Sequence, residues 1–600
     1  MKANFVVSAH SEAWVPDANA LLVADPYIVH VLEKTNRLDQ FESVRVVPPR
    51  RASRDAFQRD HEFVSRKLRK YNQIMVRRLD QVHQTKYGEK FWNKALALAL
   101  LRHVSLCYDL FQVCELNLDL EQHMFRVLDP LSYMIPRDFD DHRRMFQSTD
   151  LGQEQLFSVY CHCFHAGNFT TWEETAYHVD SSQESTTTGT TALWRRIGLK
   201  TVARRLARMR QPVLGVMNAY FSADNMDRLF LRSKGRIQNI PLPNVSLSNT
   251  ELQWDKREEL TREEADFDRF DQFVFSALNA GMPYMFVENF GQVYDKLNTH
   301  FENYHKLRWI VCEGWIGHTL SSLALAVLGL KNVRHIYNEH NYLAHPFVGN
   351  NLKYIMPLID EFHSLGWKDE SNPKIVPGAS LFQWVEGAGV EKQHDLMFIS
   401  SVPNTRSPEI NSSYGESGDR VVPGYLDMNR RFFAALKETT LSTIMYRAYP
   451  ARYTKQALVW DQDYVLREYL EKVKAVDDST TPARLLMQQS RLVIINYLST
   501  SYLEALQANV PTVFLWNQQA YFLEDRYADF FDALIRVKIC HTDPVTAAVF
   551  VEEIKNDPES WWTCAEVQQA RREFLRTNMG NLDNQMKHLY SRSKQVAENN

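Results

Sequence analysis

The stretch that most constrains this chain runs from Arg491 to Trp516. Leu492 to Asn496 is an aliphatic run closed by an amide, and it reads as a fully buried strand. Tyr497 to Ser501 is a short polar turn, Tyr502 to Ala508 reads as a helix, and Pro511 to Trp516 as the next buried strand. A helix that begins directly after a parallel strand aims unpaired N–H groups and the positive end of its dipole at the carboxyl edge of the sheet. That edge is where α/β proteins bind phosphate. Ser499, Thr500 and Ser501 add hydroxyl donors, and Glu504 lies one turn inside, within reach of a sugar hydroxyl. The stretch therefore fits the diphosphate and ribose of a nucleotide-sugar. It also fits a plain helix start, because Ser501-x-x-Glu504 has capping-box spacing, and a Glu504 held in a cap is less able to reach a ribose.

At 600 residues the chain is too long for one core and should divide into domains. A net charge of −4 leaves no electrostatic footprint for nucleic acid. Thirteen Trp and 26 Tyr suit sugar-stacking sites, although large cores use them too. Seven Cys without a framework spacing point to a reducing compartment. The apolar run near Met1 is too short for a signal peptide, and the most apolar run, Ala95 to Leu101, is far below the ~20 residues of a membrane span. A cytoplasmic protein is expected, at most resting on a membrane.

Along the chain, Asn4 to Ala9 reads as a first strand, with His10 and Glu12 in the loop at its end, facing either a cleft or solvent. Residues 53–85 and Phe91 to Val113 read as helices. Cys161, Cys163 and His165 fit no common zinc spacing and read as part of a buried strand or helix. Asp180 to Thr191 reads as a Ser/Thr-rich loop. Residues 193–210 carry seven Lys or Arg among apolar positions, as in a helix lying on anionic headgroups or simply in solvent. From Val213 onward strands and helices alternate. Asp255 to Ala280 reads as one helix, and strands end at Glu288, Glu313 and Glu339-His340, which would share one sheet edge. A second alternating unit begins at Asp395 and includes a strand that ends at Arg447. The pattern is α/β: two Rossmann-like, doubly wound domains with a central cleft, and helical additions in the N-terminal half. Residues 1–385 form the first domain, with helical insertions at about 50–210, and residues 386–560 the second. Residues 561–600 form a helix that packs back across both. The sequence lacks the fingerprints of Rossmann dehydrogenases, P-loop kinases, serine hydrolases and zincins.

Ser499-Thr500, Leu503-Glu504-Ala505-Leu506 and Asn509-x-Pro511 resemble the C-terminal motif of a transferase family of bacterial O-antigen and surface-carbohydrate biosynthesis. Glu12-Ala13-Trp14, the stretch around Tyr87 and Trp92, Glu339-His340 through Leu365-Gly366-Trp367, and Asp557 to Trp562 are similar to that family as well. Asn341-Tyr342 stand where the family has glycines, and part of its Trp/Cys pattern near residue 25 is missing. The resemblance implies a GT-B-like glycosyltransferase, with the nucleotide-sugar donor on the C-terminal domain and a surface-polysaccharide or lipid-linked acceptor on the N-terminal one. Ser499, Thr500 and Ser501 would then hold the donor phosphates and Glu504 the ribose. Arg447 would neutralise the leaving diphosphate in place of a metal, unless it is spent in a salt bridge. The base is expected among His340, Glu313, Glu339, Glu288 and Glu12, with His340 ranked first and Glu313 second. No nucleophile pair is visible, so single displacement with inversion is expected, with no metal and no cofactor beyond the nucleotide-sugar substrate. A polyol-phosphate transferase, a sugar-nucleotide 2-epimerase or a non-catalytic nucleotide-sugar scaffold remain alternatives on the same fold.

Overall fold

The computed structural model describes residues 2–48, 53–174, 210–219, 221–245, 247, 251–313, 319–340, 343–379, 390–401, 418–448, 461–477, 480–498, 500–519 and 521–598. Ser499, Asn341, Tyr342, the 180–191 segment and nearly all of the basic 193–210 segment lie outside them.

The described strands form parallel sheets. The first is built from β1 (Ala3–Val6), β2 (Ala20–Val23), β3 (Ser43–Val46) and β4 (His123–Met124), in the order β3-β2-β1-β4. A two-stranded ladder joins β5 (Arg126–Leu128) to β6 (Thr170–Trp172). The middle sheet contains β7 (Leu214–Met217), β8 (Ile237–Asn239), β9 (Trp309–Glu313), β10 (Arg334–Asn338), β11 (Glu361–Ser364) and β12 (Ile375–Pro377), in the order β12-β11-β10-β9-β7-β8. The last contains β13 (His394–Ile399), β14 (Ile444–Arg447), β15 (Ala475–Asp477), β16 (Ser490–Ile495), β17 (Thr512–Leu515) and β18 (Cys540–His541), in the order β15-β14-β13-β16-β17-β18. Counted within their own units, the middle sheet runs 2-1-3-4-5-6 and the last sheet 3-2-1-4-5-6. These are the two common doubly wound orders, and each reverses direction at one place where a crevice opens. In the middle sheet that place lies between β7 and β9; in the last it lies between β13 and β16. The residues before β13 thus carry three separate sheets, the four-stranded one, the β5–β6 ladder and the middle sheet.

Central strands are apolar on both faces because helices cover both. Val493 and Ile495 of β16 join a core that continues through the middle sheet to β1, while Leu492 and Ile494 face a second core on the outer side. The 30-residue helix Gly88–Asn117 is long and apolar enough, by length and composition, to cross a membrane. It is a core helix here, with 72% of its apolar window buried in the fold. That corrects the expectation that no segment approaches such a span. One other expectation changes and one of two alternatives is selected. Asp255 to Ala280 is two helices, Trp254–Thr261 and Arg269–Gly281, because Asp268 and Asp271 form a capping box that starts a new helix. Cys161 to His165 is the end of helix Asp150–Phe164, where a two-residue step sends Cys163 to a different face from Cys161.

After β18, four helices carry the chain back. Ala565–Asn578 packs on Thr500–Gln507, whose last turn is held by Arg571 donating to the Leu506 carbonyl at 2.6 Å. The chain then crosses at Gly580, whose N–H meets the Leu365 carbonyl at 2.5 Å. Gly366, at φ +146°, permits this approach, because a Cβ there would stand 2.1 Å from the Gly580 nitrogen. Leu582–Glu598 finally buries Leu582, Met586 and Leu589 against β7, β9 and β10.

The loops leaving β10 and β17 meet. The Val348 N–H donates to the Phe522 carbonyl and the Glu524 N–H to the Pro346 carbonyl, both at 2.8 Å. The carboxyl edges of the middle and last sheets therefore face one another.

Candidate active site

β9 and β10 pair with Glu313 opposite Asn338, so the chain beyond Asn338 emerges beside Glu313. Two residues on, His340 places Nδ1 2.8 Å from Glu313 Oε1. The Glu313 side chain is fully buried, and its second oxygen has no hydrogen-bond partner among the described residues. The His340 ring is 35% exposed. A buried carboxylate holding one ring nitrogen of a partly open imidazole sets the tautomer and orients Nε2, which is the arrangement a general base needs. Beside them Asn218, in the left-handed region at φ 47°, ends β7 at the switch point and donates to Ser321.

The other base candidates are placed differently. Glu339 is buried and accepts from the Leu365 N–H at 2.8 Å and the Trp367 indole N–H at 2.7 Å. Burial pushes its pKa up to about 8. It anchors the stretch before His340 instead of facing the cleft. Glu288 follows a 3-10 turn, Tyr284–Phe286, where a strand was expected. It is fully buried and paired with Arg257 through contacts of 2.7 and 2.8 Å, which removes it from the base candidates. Pro283, which has no N–H to give a ladder, precedes that turn. Glu12 is exposed on the turn Ser11–Ala13, beyond β1 of the first sheet, and shares no sheet with Glu313.

On the opposing edge, β16 leads through Asn496 and Tyr497 into helix Thr500–Gln507, beside the switch point. Thr500 and Glu504 are half-buried. Ser501 is buried, and its hydroxyl bonds the Tyr497 hydroxyl at 2.8 Å, so it is taken from the donor-binding set. This contact and a helix that starts at Thr500 also place Ser501 inside the first turn, which removes the Ser501–Glu504 capping box. Arg447 ends β14 and pairs with Asp477 at the end of β15; both are largely buried. Its charge is neutralised within the sheet, so the salt-bridge reading replaces the diphosphate role.

Several polar residues that the sequence reading did not single out gather at this switch point. Asn496 donates to Asn429 at 2.9 Å, and Gln462 donates to Ser400 at 2.7 Å. The Ser401 N–H donates to the Tyr425 hydroxyl at 3.0 Å. Burial pushes the Tyr425 hydroxyl up to about 12. The available signal was Asn496 itself, an amide closing an otherwise aliphatic strand. The two edges are joined through the Val348–Phe522 and Glu524–Pro346 backbone bonds, and burial pushes the Tyr502 hydroxyl upward.

A cavity of about 520 Å³ is lined by Asp255, Glu258, Glu259, Thr261, Arg262 and Asn279. It contains none of the strand-end residues, and its acidic wall repels a diphosphate, so chemistry and topology outweigh its size. Among the described residues, His10, Glu12 and Glu174, and separately Glu361, His363 and His588, are spaced to hold a metal ion.

Two facing, doubly wound domains, with a carboxylate-held imidazole on one edge, a helix N-terminus on the other and a terminal helix crossing back, define a GT-B-like α/β transferase. Residues 3–592 match the model of the LIC12162 family transferases, and the chain belongs to that family. Among solved structures, MurG of Acinetobacter baumannii is similar at 10% identity over 64% of this chain and 100% of its own, with a TM-score of 0.32. A variant of the wall teichoic acid polymerase TagF is similar at 12% identity over 67% and 94%, with a TM-score of 0.32. The spinosyn rhamnosyltransferase SpnG, complexed with thymidine diphosphate, is similar at 11% over 63% and 99%, with a TM-score of 0.30. The architecture is defined by the sheet orders above. No curated protein matches the chain.

Proposed function

We propose that this protein is a glycosyltransferase that moves a sugar from a nucleotide-sugar to a hydroxyl of a surface-polysaccharide or lipid-linked acceptor. The observation that carries the reading is the Glu313–His340 pair at the carboxyl edge of the middle sheet, whose loop after β10 bonds the loop after β17 in the sheet that leads into helix Thr500–Gln507. The donor diphosphate lies against that helix start, with the Thr500 hydroxyl and the backbone N–H groups as donors and Glu504 on the ribose. The helix dipole and these N–H groups take up charge as the bond from the anomeric carbon to the diphosphate oxygen breaks. His340 Nε2 receives the acceptor hydroxyl proton as that oxygen attacks the anomeric carbon, and Glu313 stabilises the imidazolium that forms. One displacement inverts the anomeric centre.

The test is a thermal-shift screen against UDP, GDP, CMP and dTDP, because a ligand that binds only the folded state raises its melting temperature. One nucleotide should stand out. The matching nucleotide-sugar should then be consumed in the presence of acceptor by the wild type and not by His340→Ala, giving a product of inverted anomeric configuration. Retention, or near-normal turnover by His340→Ala, would contradict the mechanism.

A further inference from the structure

The His10 loop contains an arrangement that the proposed transfer does not use. His10 and Glu12 follow β1, and Glu174 lies two residues beyond β6. Arg126 of β5 brings the two segments together by donating to the Glu12 carbonyl at 2.7 Å and the Thr171 carbonyl at 3.3 Å. One ligand atom from each of His10, Glu12 and Glu174 lies within 4.8 Å of the others. Trp172 is 4% exposed, and its ring stands 5.0 Å from the His10 imidazole. Three buried atoms here have no hydrogen-bond partner among the described residues: His10 Nε2, Glu174 Oε2 and the Trp172 indole nitrogen. His10 Nε2 and Glu174 Oε2 have only a misaligned contact with each other and the indole N–H has no acceptor, an arrangement that is costly unless something is bound between them.

The distances suggest what that is. His10 Nε2 and Glu174 Oε2 are 3.2 Å apart, close enough for an ion contact yet too poorly aligned for a hydrogen bond. Two donors each ~2.1 Å from one ion, at roughly 90–110° to each other, lie roughly 3.0–3.4 Å apart. The other His/Glu group behaves differently. Glu361 accepts from His363 at 2.9 Å, His588 at 2.7 Å and Arg592 at 2.6 Å, which are ordinary hydrogen bonds. That carboxylate is satisfied by protein alone.

We infer that His10, Glu12 and Glu174 hold one divalent transition cation of the Zn²⁺ or Mn²⁺ class. One imidazole and two carboxylates suit such ions, and two negative charges still outweigh the neighbouring Arg126. Exposed Glu12 opens the remaining coordination positions to solvent, and a water bound there offers the Trp172 N–H an acceptor. The site lies between the end of β1 and the β5–β6 ladder, away from the middle sheet, so it does not depend on the base assigned above.

The test uses the full chain, stripped with EDTA and titrated with Zn²⁺ and with Mn²⁺ by calorimetry, with Co²⁺ absorption as a second readout. One equivalent of at least one of the two ions should bind. His10→Ala and Glu174→Gln should weaken binding at least ~10-fold, since ligand loss exceeds the ~10–100-fold typical of outer-shell changes. Glu12→Gln, a surface change that leaves folding intact, should also weaken it, while His588→Gln should bind as the wild type does. Failure of the wild type to bind either ion, or binding lost in His588→Gln but kept in Glu12→Gln, would overturn the assignment.

Discussion

Two carboxylate–base pairs sit at strand ends, one on the middle sheet and one on the last, and they do opposite things. Arg447–Asp477 joins the ends of β14 and β15, with side chains 8% and 13% exposed. Glu313–His340 joins the end of β9 to the loop after β10, with the carboxylate buried and the imidazole 35% exposed. In the first pair both charges are cancelled inside protein, which ties two strands together and leaves nothing to offer a ligand. In the second the buried acid fixes a ring that is itself 35% exposed. A charged residue at a strand end is therefore no guide to chemistry until its partner and its exposure are known.

The largest expected effect separates the pairs by readout. His340→Ala should lower turnover by roughly 10²–10⁴-fold, the usual contribution of a positioned base, while the denaturation midpoint barely moves. Asp477→Asn should do the reverse. It strands the Arg447 charge in a nearly buried site and should cost ~3 kcal/mol of stability in urea titration, with modest change in turnover per folded molecule. Equal loss of activity and stability in both variants would erase the distinction.

A third acid sharpens the comparison through pH. The ordinary Glu value is 4.5, and burial raises that of Glu339 to about 8 in the fold. Between those values the folded state binds more protons than the unfolded one, so stability falls as pH rises. The contribution is complete below about 4.5 and lost as pH approaches 8, at no more than ~1.4 kcal/mol per pH unit. Glu339→Gln cannot ionise. Its stability relative to wild type should therefore rise between pH 5 and 8.5, and a difference that is flat with pH would show that Glu339 is ionised throughout. The smallest effect is expected at Ser501, whose hydroxyl is turned onto Tyr497. Ser501→Ala should change nucleotide affinity less than twofold and stability by ~1 kcal/mol, one hydrogen bond's worth. A tenfold loss of affinity would return Ser501 to the phosphate site.

Much of the second half was readable because parallel strands buried on both faces are continuous aliphatic runs. Trp309–Glu313 ends at Glu313, where a strand end was expected. The first half was less readable. Strands β3 and β4 are short, β3 is mostly exposed, and such pieces carry no clear period. The Glu313–His340 pair was legible as two strand ends on one edge. The Asp477 partner of Arg447 was not, because it lies 30 residues away at the end of a short, exposed strand. Glu174 was hidden for the same reason, since only the β5–β6 ladder brings it to His10.

The central claim is that the edges holding His340 and Thr500 border one ligand cleft. Hydrogen exchange with and without the best-bound nucleoside diphosphate tests it most directly. Slowed exchange in peptides spanning 496–504 together with 338–345 is the predicted result. Protection confined to the acidic cavity at Asp255 to Arg262, with both strand-end segments unchanged, would contradict it.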